Sequence, residues 1–139
     1  MLAESEKKAI SEAIHNAELL TSGEIRVHVD NECSGEPIKR AIEVFESLGM
    51  HATAERSGVL IYIAFDSHKL AIIGDKGINE KVPHNFWDST RDHLINHFKR
   101  GEYAKGIIAA VSEAGEQLSE HFPRKEDDTN ELSNEVTFS

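Results

Sequence analysis

Several carboxylate and amide side chains, whose oxygen atoms could bind a metal ion, occur at positions that folding could bring close together. Glu24 begins an alternating segment, Asp75 lies in a Gly-Asp-Lys-Gly loop, and Asn79 and Glu80 follow that loop. Hard divalent cations bind carboxylate, amide and backbone carbonyl oxygens, and calcium takes about six to eight of them. We therefore expect these four residues to be ligands of a calcium ion, with magnesium as the alternative.

More donors of the same types follow Pro123, in a segment that is acidic and poor in large apolar residues. They are Asp127, Asp128, Asn130 and Glu131. The spacing and glycine of an EF-hand loop are missing, so this segment contains no local calcium loop. Two interpretations remain open: a solvated, mobile tail, or a tail that folds over the cation and adds ligands.

Arginine side chains near the carboxylates are candidates for holding an anionic ligand. Arg26 and Arg56 could bind the phosphate or carboxylate of a small molecule, because guanidinium groups bind such anions through two hydrogen bonds. Ion pairing of Arg26 with Glu24 or Asp30 explains the strand pattern equally well. No nucleophile stands out, and no catalytic residue is predicted.

His93 and His97 are four residues apart on one predicted helix face, which is the spacing of a zinc-binding pair. The metalloprotease pattern is absent because no glutamate follows His93. A structural or solvated histidine pair is the alternative interpretation.

Two strands and a helix between them are predicted to bring the carboxylates together. Glu24 to Asp30 alternates between apolar and polar residues, which indicates a strand at an edge or with one polar face. Val59 to Phe65 is apolar throughout and predicts a central strand, which a turn joins to a second apolar run at Leu70 to Ile73. A helical crossover makes the first two strands parallel. Glu24, Arg56 and Asp75 then share one edge of the sheet.

Apolar periodicity predicts four helices, each close to a proline or glycine that suits a helix end. They cover residues 3–21, 37–48, 84–99 and 103–121.

The composition limits the function classes. The chain has 139 residues and a formal charge of −10, which disfavours nucleic acid and anionic membranes as partners and suits cations. A single cysteine, Cys33, suits a reducing compartment, and neither a signal peptide nor a membrane span is predicted. We expect a cytoplasmic protein with one domain at 1–123 and an acidic tail at 124–139.

Three motifs carry a resemblance to a known family. They are Glu24-Ile25 after a small residue, the apolar run from Gly58 that closes on GDKG, and Gly101-Glu102-Tyr103 before the last helix. In this order, from about Ala3 to Phe122, the sequence resembles the TPM domain of thylakoid-lumen phosphatase-like and photosystem-repair proteins, in its soluble bacterial branch. The resemblance implies a three-layer α/β/α sandwich around a small twisted mixed sheet.

The resemblance also implies a divalent metal, often calcium, at this end of the sheet, with Glu24, Asp75 and Glu80 as ligands. Acid phosphatase activity is attributed to a plant member. Many relatives have aspartate before Asn-Gly at the start of the central strand, whereas this sequence has Arg56 and Ser57 there. One carboxylate is therefore missing, and the tail acids could replace it.

We therefore expect a divalent-cation-binding TPM-like domain. The alternatives are a metal-assisted acid phosphatase, with a phosphate-containing small molecule as its ligand, and a protein-interaction module. In the last case, Arg26 and His28 or the tail would contact the partner protein.

Overall fold

A computed structural model describes residues 2–124 and 134–139 of the chain. The elements, in chain order, are α1 (Glu4–Glu18), β1 (Glu24–Asp30), α2 (Pro37–Ser47), β2 (Gly58–Ala64), β3 (Lys69–Gly74), α3 (Lys76–Asn79), α4 (Asp88–Lys99), α5 (Tyr103–His121) and β4 (Thr137–Phe138).

The four strands form one mixed sheet in the order β3-β2-β1-β4. β1 and β2 are parallel, with Glu24 opposite Gly58, and β2 and β3 form the predicted antiparallel hairpin. Every residue of β2 is buried, as expected for an apolar strand with helices on both faces. His68 allows the tight turn of the hairpin with a positive φ of 54°.

Helices cover both faces of the sheet. Alternate residues of β1 and β2 (Ile25, Val27, Val29, Val59, Ile61 and Ile63) pack with α1, α4 and α5. On the opposite face, Leu60, Tyr62 and Ala64 pack with α2. This arrangement is the predicted α/β/α sandwich around a mixed sheet.

Three details differ from the sequence-based expectations. β1 is an inner strand, because β4 pairs with it in parallel and places Thr137 opposite His28. The predicted helix at 84–99 begins only at Asp88. The preceding loop contains the short α3, which starts where the Asp75 carboxylate caps the backbone N–H of Lys76.

Thr137 and Phe138 pair with β1, and Ser139 donates its backbone N–H to the Val29 carbonyl. This position is toward the end of β1 opposite Glu24, so these residues do not fold over the predicted cation site. The domain boundary at residue 123 stays a prediction. Within the described part of the chain, no helix is both long and apolar enough to cross a bilayer.

Candidate functional site

The end of the sheet where β1 and β2 begin brings the predicted residues to a common edge. Glu24 donates its backbone N–H to the Ser57 carbonyl, and the Asp75 N–H donates to the Gly58 carbonyl at 2.8 Å. Glu24 and Asp75 therefore approach β2 from its two sides. The parallel pairing that we predicted from the crossover accounts for this arrangement.

Arg56 and Asp75 form a two-point ion pair at this edge. Nε of Arg56 donates to Oδ2 of Asp75 at 2.8 Å, and Nη2 donates to Oδ1 at 2.9 Å. The Asp75 side chain is 6% exposed, whereas that of Arg56 is 47% exposed. A buried carboxylate is thus held by a guanidinium that solvent reaches, and this bond raises the pKa of Arg56.

The backbone around Arg56 is tightly constrained. Arg56 has a positive φ of 52°, a conformation that costs a residue with a side chain about 1 kcal/mol or more. Gly77 donates its N–H to the Arg56 carbonyl at 2.9 Å. A Cβ on Gly77 would lie 2.0 Å from the Glu55 carbonyl oxygen, so only glycine fits. The two loops are therefore locked together beside the ion pair.

An open groove of about 570 Å³ runs from this ion pair to α2. Four predicted site residues, Arg56, Asp75, Asn79 and Glu80, are among those lining it. The groove is also lined by Glu46, His51 and Lys76, none of which was predicted as a site residue. The sequence evidence for a role of these three residues is weak, because single charged residues on a helix or in a linker are common on protein surfaces. The groove is therefore lined by both acidic and basic side chains.

Glu24 does not line this groove and has a different neighbour. It is 3% exposed, and its carboxyl lies within hydrogen-bonding reach of the Glu18 carboxyl, which is 5% exposed. Burial and this neighbour raise the pKa of Glu18 to about 9. Glu18 also accepts the backbone N–H of Ile25 at 2.8 Å. Glu18 is therefore protonated at neutral pH, which allows the two carboxyls to stay together.

Arg26 does not join Arg56. Arg26 is half-buried on β1, and burial lowers its pKa while Glu135 raises it. Its Nε is buried and has no hydrogen-bond partner among the residues that the structure describes. Arg26 is not among the residues that line the groove with Arg56, so the two predicted anion-binding arginines are not brought together there.

His28 is 4% exposed, so the interpretation that β1 presents a polar face to a partner protein was wrong at this residue.

The Asp30 carboxylate forms the centre of a buried polar cluster: it accepts bonds from Tyr62 at 2.5 Å and from Nε of Arg40 at 2.8 Å. Asp30 also contacts His28 and Ser139. This cluster was not predicted, because its members come from β1, α2, β2 and Ser139 and only the tertiary fold brings them together.

The predicted metal ligands fall partly inside and partly outside the described residues. Four predicted ligands, Asp127, Asp128, Asn130 and Glu131, lie outside residues 2–124 and 134–139. Inside those ranges, no three His, Cys, Asp or Glu side chains are close enough together to hold a metal ion. In the groove, Asp75, Asn79 and Glu80 have oxygen atoms of the kind that calcium prefers, but Arg56 already occupies the Asp75 carboxylate.

Comparison with solved structures gives close and distant neighbours. The NMR structure of BA42 protein from the psychrophilic bacterium Bizionia argentinensis is 42% identical, with a TM-score of 0.94, and the alignment covers 100% of this chain and 96% of that chain. The N-terminal domain of cg2496 protein from Corynebacterium glutamicum is 13% identical, with a TM-score of 0.68, over 90% and 79% of the two chains.

A third solved structure, the N-terminal domain of a protein from P. gingivalis, has a TM-score of 0.70 at 16% identity and covers 87% of this chain and 78% of its own. At this identity, it and the cg2496 domain share the fold alone with this chain. No curated protein sequence matches the chain. The TPM domain matches residues 1–117, which include β1, the β2–β3 hairpin and the groove. The sequence motifs, the sandwich and this match agree, and the chain belongs to the TPM domain family.

Proposed function

We propose that this TPM domain binds a divalent cation, calcium ahead of magnesium, in the groove beside Asp75. The observation that carries the proposal is that Asp75, Asn79 and Glu80, selected from the sequence as oxygen donors, line one groove. Glu46 adds a further carboxylate on the α2 side. A formal charge of −10 favours the approach of cations to this surface.

Arg56 is the competitor of the cation in this proposal. Its guanidinium satisfies the Asp75 carboxylate, so a metal ion binds Asp75 only when Arg56 releases it. The release is feasible, because the Arg56 side chain is 47% exposed and its guanidinium can move into solvent while the cation takes its place at the buried carboxylate. Once released, Arg56 remains at the groove and can hold an anionic group. The cation and a phosphate would then bind together.

Calcium titration followed by amide NMR and calorimetry tests the proposal. We expect shifts at Asp75 and Glu80 in millimolar calcium, tighter binding in Arg56→Ala, and tighter still in Arg56→Asp, which restores the carboxylate of many relatives. Asp75→Asn should abolish these shifts. Glu116→Gln, an exposed substitution on α5, is the control and should bind like the parent.

Two results would overturn the proposal. One is an unchanged spectrum in millimolar calcium for both the parent and Arg56→Asp. The other is calcium binding that Asp75→Asn leaves intact.

A phosphomonoesterase is the second candidate, supported by the basic groups of the same groove. Arg56, Lys76 and His51 lie among its carboxylates, and about 570 Å³ is enough for a small phosphate ester. A bound cation would neutralise phosphate charge, and Arg56 and Lys76 would orient the ester. Hydrolysis of p-nitrophenyl phosphate with calcium or magnesium, lost in Arg56→Ala and kept in Glu116→Gln, would support this activity. Turnover that Arg56→Ala and Asp75→Asn leave unchanged would contradict it.

A cytoplasmic location remains part of the proposal. Cys33 is the single cysteine and is buried, with its thiol 3.5 Å from the Gly35 carbonyl oxygen. A lone buried thiol is compatible with a reducing compartment.

A further inference from the structure

Two histidines on α4 are each held by a carboxylate. Nδ1 of His93 is 3.0 Å from Oε2 of Glu113, and Nδ1 of His97 is 3.0 Å from Oε1 of Glu102. An ionised carboxylate only accepts hydrogen bonds, so Nδ1 carries the proton in both rings. Nε2 is then the nitrogen with a lone pair. Histidines that bind metals are commonly oriented in this way, with the second ring nitrogen bonded to a carboxylate.

The carboxylate behind His93 is itself fixed. Oε1 of Glu113 accepts bonds from the Thr90 hydroxyl at 3.1 Å and from Nε2 of Gln117 at 3.2 Å, which leaves Oε2 for His93. His93 is 59% exposed, so its ring can be reached from solvent. The His93 imidazole is therefore accessible to solvent and is oriented by a carboxylate whose own position is fixed.

The close approach of α5 supports His97. A Cβ on Gly106 would lie 2.7 Å from the Cβ of His97, so glycine permits this packing. His97 is 19% exposed, and its partner Glu102 also accepts a bond from Nε of Arg100 at 3.0 Å. The ring of His97 is thereby held at the rim of the contact between the two helices.

We propose that His93 and His97 form a two-histidine binding site for a borderline divalent metal ion, with zinc as the leading candidate. Residues four apart on a helix have Cβ atoms about 6 Å apart, which allows two Nε2 atoms to reach one ion at about 2.1 Å. Within the described residues, no group of three ligating side chains is present. The proposal leaves the remaining coordination positions to water or an external ligand. Calcium is a hard ion that selects oxygen, so this site is separate from the proposed calcium groove.

Zinc titration by calorimetry and by NMR of the histidine rings tests the site on the full chain. We expect one zinc ion per chain, with shifts at both rings. His93→Ala and His97→Ala should each weaken binding by at least about tenfold, and Glu113→Gln should weaken it by about tenfold or more through loss of ring orientation. Nickel and copper should bind the same pair.

Controls separate this site from other metal binding, since the chain has eight histidines. His84→Ala changes an exposed histidine outside α4 and should bind zinc like the parent. Asp75→Asn should also leave zinc binding intact, and His97→Ala should leave any calcium response intact, so the two proposals can fail independently. The proposal is overturned if millimolar zinc leaves both rings unshifted, or if His93→Ala and His97→Ala, shown to be folded by circular dichroism, bind zinc like the parent.

Discussion

The carboxyl groups of Glu18, at the end of α1, and Glu24, at the start of β1, lie within hydrogen-bonding reach of each other. Both residues are almost fully buried, and the Glu18 carboxyl also accepts the N–H of Ile25 at 2.8 Å. The pKa of Glu18 is raised from 4.5 to about 9, mainly by burial and to a smaller extent by the neighbouring Glu24. Folding therefore takes up a proton near neutral pH.

Replacing Glu18 with glutamine should stabilise the protein at alkaline pH. Between pH 4.5 and 9, the folded chain holds a proton on Glu18 that the unfolded chain lacks, so the free energy of unfolding falls as pH rises. The slope from this single group is at most about 1.4 kcal/mol per pH unit. Glu18→Gln removes this dependence, which urea unfolding at pH 5.5 and pH 8.5 would measure.

Glu12→Gln, on the exposed side of the same helix, is the matched control and should keep the parent's pH dependence. An identical pH slope in Glu18→Gln and the parent would contradict a proton shared at this position.

Asp30 should have the opposite pH dependence. Burial alone would raise the pKa of Asp30, but hydrogen bonds from Arg40, Ser139, Tyr62 and His28 hold it well below its ordinary value. Its contribution to stability is present above about pH 4 and is lost as pH falls through the lower pKa of the folded state. Asp30→Asn should lower the free energy of unfolding at pH 7 by about 2–4 kcal/mol.

Urea unfolding from pH 7 to pH 2 would measure both effects. The acid-induced loss should be smaller in Asp30→Asn than in the parent, while Asp66→Asn, an exposed control, should follow the parent. Equal acid sensitivity of Asp30→Asn and the parent would refute this role.

Gly77 should not tolerate alanine. A Cβ would lie 2.0 Å from the Glu55 carbonyl oxygen and 2.7 Å from that of Arg56, and both contacts are with backbone. We expect Gly77→Ala to cost about 1–3 kcal/mol and to loosen the Arg56–Asp75 pair. Gly35→Ala is the control, since nothing lies within 4 Å of its Cβ position. Thermal unfolding of both variants tests this, and equal midpoints would contradict it.

Ser139 should contribute measurably to stability. Its hydroxyl contacts Asp30, His28 and Arg40, and its backbone N–H binds the Val29 carbonyl. Ser139→Ala removes the hydroxyl bonds and should cost about 1 kcal/mol. Ser112→Ala, on the exposed side of α5, is the control for urea unfolding. If the two variants were equally stable, the hydroxyl contacts would have no net effect.

Much of the sheet could be predicted because its determinants are local. Val59 to Phe65 has no charged residue, which predicts a strand buried on both faces, and the turn at Asp66 favours the hairpin. One helix between two strands dictates their parallel pairing, which places Glu24 and Asp75 on either side of Gly58. The order of strand, helix and strand was therefore enough to predict which residues meet at this edge of the sheet.

The partners of the charged residues could not be predicted in the same way. Arg56 has a left-handed backbone and binds Asp75, and no local sequence pattern reports either feature. The alternation in β1 gave no sign that Thr137 would cover His28, because two paired residues are too short a signal. The burial of Glu24 against Glu18 depends on how α1 packs, which the sequence also leaves open.

The pairing of β4 with β1 has a consequence for how this protein is synthesised. His28 is 109 residues from Thr137, so β1 leaves the ribosome long before its last neighbour has been translated. Until then, β1 lacks its pairing with β4, and Nδ1 of His28 lacks its contact with the Thr137 hydroxyl. This edge of β1 therefore stays unpaired in the nascent protein until Thr137 and Phe138 have been translated.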